Sequence, residues 1–137
     1  MRRRECEAWQ LLQELLRAHR TFLPMLVAEY ELSPAQWHVL QLIAPDEPLP
    51  MGELARDLAC DASNVTGLVD RLEARRLVER RAAPHDRRVK VIALTRQGGA
   101  LRARIAARLA EPPGPIARLS AFERRQLSAI LRKALGS

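Results

Sequence analysis

Only two cysteines, Cys6 and Cys60, occur in 137 residues. Two thiols cannot build the disulfide framework of a small secreted domain, and with three scattered histidines they lack metal-site spacing. A reducing compartment is therefore expected, with no metal and no other cofactor. Aromatic residues are also sparse, at 4%, so the core has to be made of Leu, Val, Ile and Ala, which favours packed helices. Long apolar runs are missing. None approaches the roughly 18 residues of a membrane span. After Met1, Arg2, Arg3 and Arg4, the residues Glu5, Glu7, Gln10, Gln13 and Glu14 interrupt any apolar signal-peptide segment. The expectation is a single cytoplasmic domain with no membrane association. Paired carboxylates, a glycine-rich phosphate loop and Ser/His/Asp spacing are absent as well, so no enzyme is expected.

Lysine is nearly absent too: of 23 basic residues only Lys90 and Lys133 are not arginine, and the net charge is +7. Arginine binds phosphates and base edges in bidentate fashion, which suits nucleic acid. Genome composition can also raise arginine content, so position matters more than total. Residues 71–90 hold Arg71, Arg75, Arg76, Arg80, Arg81, Arg87, Arg88 and Lys90 against Glu73, Glu79 and Asp86. Residues 46–61 hold Asp46, Glu47, Glu53, Asp57 and Asp61 against Arg56 alone. The positive charge is a patch.

Helical periodicity runs from about Glu5 to Glu29 through Trp9, Leu12, Leu16, His19, Leu23 and Leu26 or Val27. It predicts a long first helix that Pro24 kinks or ends. Ser33, Pro34 and Gln36 form a helix-start signal and open a segment that turns Trp37, Leu40 and Ile43 or Ala44 inward. The stretch from Pro45 to Pro48 is a connection. Met51 to Ala59 reads as a short helix, Cys60 and Asp61 as a turn, and Ala62 to Arg75 as a second helix that buries Val65, Leu68, Val69 and Leu72. Leu77 to Arg81 and Val89 to Leu94 read as a β-hairpin whose turn contains Pro84, His85 and Asp86. Thr95 caps a helix carrying Leu101, Ile105 and Leu109. A proline cluster from Glu111 to Pro115 ends it, and Ser120 with Glu123 opens a last helix carrying Phe122, Leu127, Ile130 or Leu131, and Leu135. The fold class is mainly α with a small β-hairpin wing.

A short helix, a turn, a second helix and a basic hairpin make a winged helix-turn-helix. Its second helix fits a DNA major groove if the outer face is small or polar, as Ser63, Asn64, Thr66, Gly67, Asp70 and Arg71 are. Gly67 costs such a helix about 1 kcal/mol relative to Ala, which points to close approach of a partner. A protein-interaction module is the alternative. It predicts a hydrophobic or acidic outer face, which this segment lacks.

The run from Leu68 to Glu73 (LVDRLE), then Leu77 to Arg80 (LVER), Asp86-Arg87-Arg88, and Ala93 to Gly98 (ALTRQG) resembles the MarR family of bacterial transcription regulators. The resemblance extends over nearly the whole chain. It implies a homodimer held by residues 1–30 and 95–137, with residues 33–94 forming a winged helix-turn-helix lobe on double-stranded DNA. It further implies a pseudo-palindromic operator and, more often than activation, repression. Carried over residue by residue, the family's recognition helix supplies Ser63, Asn64, Thr66, Gly67, Asp70 and Arg71. Its wing supplies Asp86, Arg87 and Arg88, with one arginine in the minor groove and the aspartate bracing it. Arg87 is taken as the tip contact and Arg88 as the braced partner, though the two roles are exchangeable. The family often begins its third helix with Ser or Thr, where this chain has Leu49, Pro50 and Met51.

Many members bind a small aromatic or phenolic acid, and by position that ligand site would involve Arg17, His19, Arg20, Trp37 and His38. A structural role competes here, with Trp37 as a core residue. A redox branch senses hydroperoxides through a first-helix cysteine. Alignment places Trp9 at that position, with Cys6 one turn earlier beside Arg2, Arg3 and Arg4, whose charges would favour a thiolate. Tyr30 matches neither tyrosine partner of that branch.

Overall fold

The computed structural model describes residues 2–59 and 62–137, with side chains described for 7–59 and 63–137. Cys60 and the Cys6 side chain, the two candidates for redox sensing, lie outside the described residues. The chain begins with α1 (Arg2–His19) and, two residues later, α2 (Phe22–Ala28). The single kinked helix expected over this stretch is therefore two helices, broken before Pro24 and not at it. Pro24 occupies the third position of α2, where a helix's first N–H groups have no intrahelical acceptor, so its missing donor is tolerated.

Next comes α3 (Pro34–Leu42). The Ser33 hydroxyl accepts the Gln36 N–H at 3.1 Å, and the Gln36 side chain accepts the Ser33 N–H at 2.8 Å. Then follow β1 (Leu49–Pro50), α4 (Met51–Leu58), α5 (Ala62–Ala74), β2 (Val78–Ala83) and β3 (Asp86–Leu94). The chain closes with α6 (Arg96–Ala110), α7 (Gly114–Ala117) and α8 (Ala121–Leu135). A second reciprocal box starts α8, between Ser120 and Glu123.

Three elements depart from the sequence expectation. Leu49 and Pro50, read as the approach to a helix, form β1, which pairs antiparallel with β3 to give a sheet ordered β1-β3-β2. The hairpin strands are longer than expected and leave only Pro84 and His85 in the turn. The proline cluster contains α7, because a proline in the first helical turn needs no donor.

The chain forms two compact units, Leu23–Arg108 and Met1–Phe22 with Leu109–Ser137. In the first, α3, α4 and α5 pack on one another and α5 also packs on β2. Leu40, Ile43, Leu54, Val65, Val69, Leu72, Ile92 and Ile105 are fully buried there. The end of α5 is locked by long-range bonds. Arg76 takes a left-handed conformation, φ 57°, and its carbonyl accepts the Thr95 hydroxyl at 2.6 Å. The same hydroxyl accepts the Gly98 N–H at 3.0 Å, which caps α6. A Cβ on Gly98 would lie 1.8 Å from the Leu77 carbonyl oxygen, so only glycine lets α6 start against the backbone that leads into β2.

Two arginines act as struts in this unit. The Arg75 guanidinium donates to the carbonyls of Tyr30 at 2.9 Å and Glu31 at 2.7 Å. Arg102 donates to those of Leu40 and Gln41, both at 3.1 Å. Arg102 occupies carbonyls that the end of α3 leaves without intrahelical donors, and Arg75 those of the turn that follows α2.

In the other unit, His19 stacks on Phe22 with ring centroids 5.1 Å apart. The end of α1 and the start of α7 line an apolar concavity that includes Leu15, Phe22, Pro113 and Ile116. Trp9, Leu11 and Leu16 of α1 are exposed, as are Phe122, Ile130, Leu131 and Leu135 of α8. Among the described residues, no helix is long and apolar enough to cross a membrane.

Candidate nucleic-acid interface

The candidate surface lies entirely within the Leu23–Arg108 unit. On α5, Val65, Leu68, Val69 and Leu72 face the core. Ser63, Asn64, Thr66, Asp70 and Arg71 are exposed, and Gly67 is half-buried. A Cβ built on Gly67 would meet nothing within 4 Å. Packing within the chain therefore does not require glycine there, and its helix-propensity cost of about 1 kcal/mol is not offset by any internal contact.

At the wing tip, β2 and β3 lose register. Ala82 pairs with Lys90, but Ala83 pairs with Asp86, so Arg87, Arg88 and Val89 have no partner across the hairpin. The three residues form a bulge. A bulge leaves backbone groups outside the ladder, and here the Asp86 carboxylate accepts the Arg88 N–H at 2.9 Å. Asp86 thus braces the backbone at Arg88. Among the described residues, neither the Arg87 nor the Arg88 guanidinium enters an ion pair.

The rest of the basic segment is less available than its formal charge implies. Arg80 donates to Asp70 at 2.5 Å and to Glu73 at 2.7 Å, and its backbone N–H donates to the other Glu73 oxygen at 3.0 Å. These partners, Asp70 first, raise the Arg80 pKa above its usual value. Arg81 pairs with Glu79, and Arg75 is a strut. The outward positive charge is left to Arg71 on α5, to Arg76 just after it, and to Arg87, Arg88 and Lys90 at the tip, all exposed. Asp70 and Arg71, neighbours in the expected DNA-facing set, thus differ in their surroundings: Asp70 holds a strand residue and Arg71 is in no ion pair among the described residues.

Sequence reasoning did not single out Arg80, Arg75 or Arg102. The available signal for Arg80 was the i, i+3 spacing of Asp70 and Glu73, which places two carboxylates on one helix face seven or more residues before an arginine.

A model of the MarR family matches residues 32–90, which include α3 and continue to Lys90 in β3. The HTH-type transcriptional repressor NicR of Pseudomonas putida is 31% identical over 91 residues, 66% of this chain and 58% of its own length. The chain thus spans little more than half of that relative. The homoprotocatechuate degradative operon repressor of Escherichia coli is 30% identical over 130 residues, 93% of this chain and 87% of the repressor. The chain belongs to the MarR family. A mutant of S. aureus MepR bound to an oligodeoxyribonucleotide superposes with a TM-score of 0.78 at 23% identity, covering 94% of this chain and 96% of that one. The winged-helix architecture of the family is that of this chain.

The five positions assigned to a ligand by family resemblance fall as follows. Arg17 and Arg20 border a shallow depression with Trp9 and Gln13. His19 lines the apolar concavity beside Phe22. In the Leu23–Arg108 unit, Trp37 is buried, at 3% exposure, and shares a depression with the exposed His38.

Proposed function

We propose that this protein is a cytoplasmic transcription regulator that binds double-stranded DNA sequence-specifically as a homodimer, with α5 in the major groove and the wing tip in the adjacent minor groove. The observation that carries the reading is the bulge at Arg87–Val89, whose two arginines enter no ion pair among the described residues while the neighbouring basic residues Arg75, Arg80 and Arg81 are engaged within the protein. A narrow minor groove concentrates negative potential and attracts such side chains. The open space at Gly67 supports close approach of α5 to base edges.

The dimer is supported by the apolar residues of α1 and α8, which are exposed in one copy and are of the kind a second copy buries. Two-fold symmetry then places the two recognition helices roughly 34–36 Å apart, facing successive major grooves of an inverted repeat. Repression by promoter occlusion agrees with the names of the Pseudomonas putida and Escherichia coli relatives, both repressors. Release by a small aromatic or phenolic ligand is the finer part of the proposal.

The test is selection from random duplex DNA by the full chain at two salt concentrations. Recovery of an inverted repeat that survives the higher salt supports the reading. Retention only of unselected DNA that salt removes would overturn it, because counterion release alone produces that behaviour.

A further inference from the structure

We propose that Asp70, Glu73 and Arg80 form a clamp that aims the wing, so that Asp70 is a positioning residue for DNA recognition and not a base contact. The proposal rests on the DNA-binding reading above. Three bonds join one residue of β2 to two carboxylates on one face of α5: Arg80 to Asp70 at 2.5 Å, Arg80 to Glu73 at 2.7 Å, and the Arg80 N–H to Glu73 at 3.0 Å. The guanidinium is planar and its donors form a rigid fork, so holding two carboxylates fixes direction as well as distance. Both the backbone and the side chain of Arg80 are held, which sets the strand against the helix. Arg80 lies three residues before Ala83, the last strand residue before the turn, about 10 Å along the strand from it. A small rotation at the clamp is therefore carried to Arg87 and Arg88.

Stability is a poor explanation for this arrangement. The side chains of Asp70 and Arg80 are 60% and 27% exposed, and ion pairs that open to water contribute little. Electrostatics leads to the same assignment. An unpaired Asp70 on the exposed face of α5 would repel phosphates, and Arg80 cancels that charge while remaining tied to it. Asp70 thus supplies orientation at little electrostatic penalty to binding.

The experiment compares wild type, Asp70→Asn, Arg80→Gln and the double variant in full-length protein. It reads thermal melting, affinity for the selected operator, affinity for unrelated duplex, and the base preferences each variant selects. Asp70→Asn removes a negative charge, so a clamp predicts that affinity for unrelated duplex stays level or rises. Operator affinity should fall about tenfold or more, the effect of losing a charge-assisted bond. The double variant should match Arg80→Gln, because the two residues act as one unit. Base preference altered at a single position by Asp70→Asn would overturn the clamp and make Asp70 a reader of bases, for instance of a cytosine amino group. A parallel loss on operator and unrelated DNA with a lowered melting temperature would reduce the cluster to a stability element. An unchanged ratio would also overturn it. If wild type selects no sequence, the functional reading itself fails, an outcome distinct from a wild type that selects and an Asp70→Asn variant that equals it.

Discussion

The two compact units solve the same physical problem differently. Every buried apolar residue among those described lies between Leu26 and Ile105, inside the Leu23–Arg108 unit. The other unit buries none of its described large apolar side chains and exposes Trp9, Leu11, Leu16, Phe122, Ile130, Leu131 and Leu135. One unit closes its own core with buried residues from five helices, α2 to α6, a sheet and arginine struts. The other has amphipathic helices but no fully buried apolar side chain among its described residues, so the apolar faces it shows are available for burial against another surface. The contrast separates a winged-helix unit that buries its apolar residues on intrachain contacts from helices that leave theirs exposed.

The strongest way to break the comparison is to delete the residues after Glu111. The truncated chain should sediment as a monomer or be unstable, and its operator affinity should drop by about 10³-fold or more toward the non-specific level. A stable truncated dimer would show that α8 is not the assembly element. A single core substitution gives the next largest effect. Leu72→Ala should cost about 2–5 kcal/mol in urea unfolding, whereas Ile130→Ser should make melting more dependent on protein concentration. If both shifts were independent of concentration, the division between the units would not hold.

Within the Leu23–Arg108 unit, Arg87→Ala should weaken operator binding by about 1–3 kcal/mol with melting unchanged, if the side chain reads bases. Unaltered affinity in a folded variant would remove Arg87 from the contact surface. Gly67→Ala should move stability and binding in opposite directions. Melting should rise, because an Ala in open helix gains about 1 kcal/mol over Gly, while operator affinity falls as the methyl group meets DNA. Equal or tighter binding would dismiss the close approach.

The smallest expected effect concerns the start of α8. The Ser120 backbone N–H, which donates to the Glu123 carboxylate at 2.8 Å, is the main cause that holds this carboxyl below its usual value, with the Ser120 side chain adding to it. A depressed folded value means this contribution is complete above the unfolded glutamate pKa of about 4.3 and is lost as pH falls through the folded value. Glu123→Gln should remove that acid-side slope of α8 stability, as followed by helix content against pH, whereas Ser120→Ala keeps the backbone donor and should only lessen it.

The helix α5 was legible almost to the residue, Ala62 to Arg75 against Ala62–Ala74, and its inward positions Val65, Leu68, Val69 and Leu72 are the buried ones. The helix starts at Ser33 and Ser120 were legible for the same reason. Each depends on a side chain three residues away, and a 3.6-residue period puts one face inward whatever it packs against. The first-helix face through Trp9 and Leu16 was visible as a pattern, but the pattern did not say that this copy would leave it uncovered.

The sequence by itself determined the local periods, the caps and the concentration of positive charge between Arg71 and Lys90. Tertiary structure alone decided which of those charges remain outward. Arg75 reaches carbonyls more than forty residues away, Arg80 is taken by α5, and Leu49 finds Ile92 to make a strand of two residues. Those pairings depend on distance in space, and no local period or spacing encodes which distant carbonyl, carboxylate or strand edge a side chain will meet.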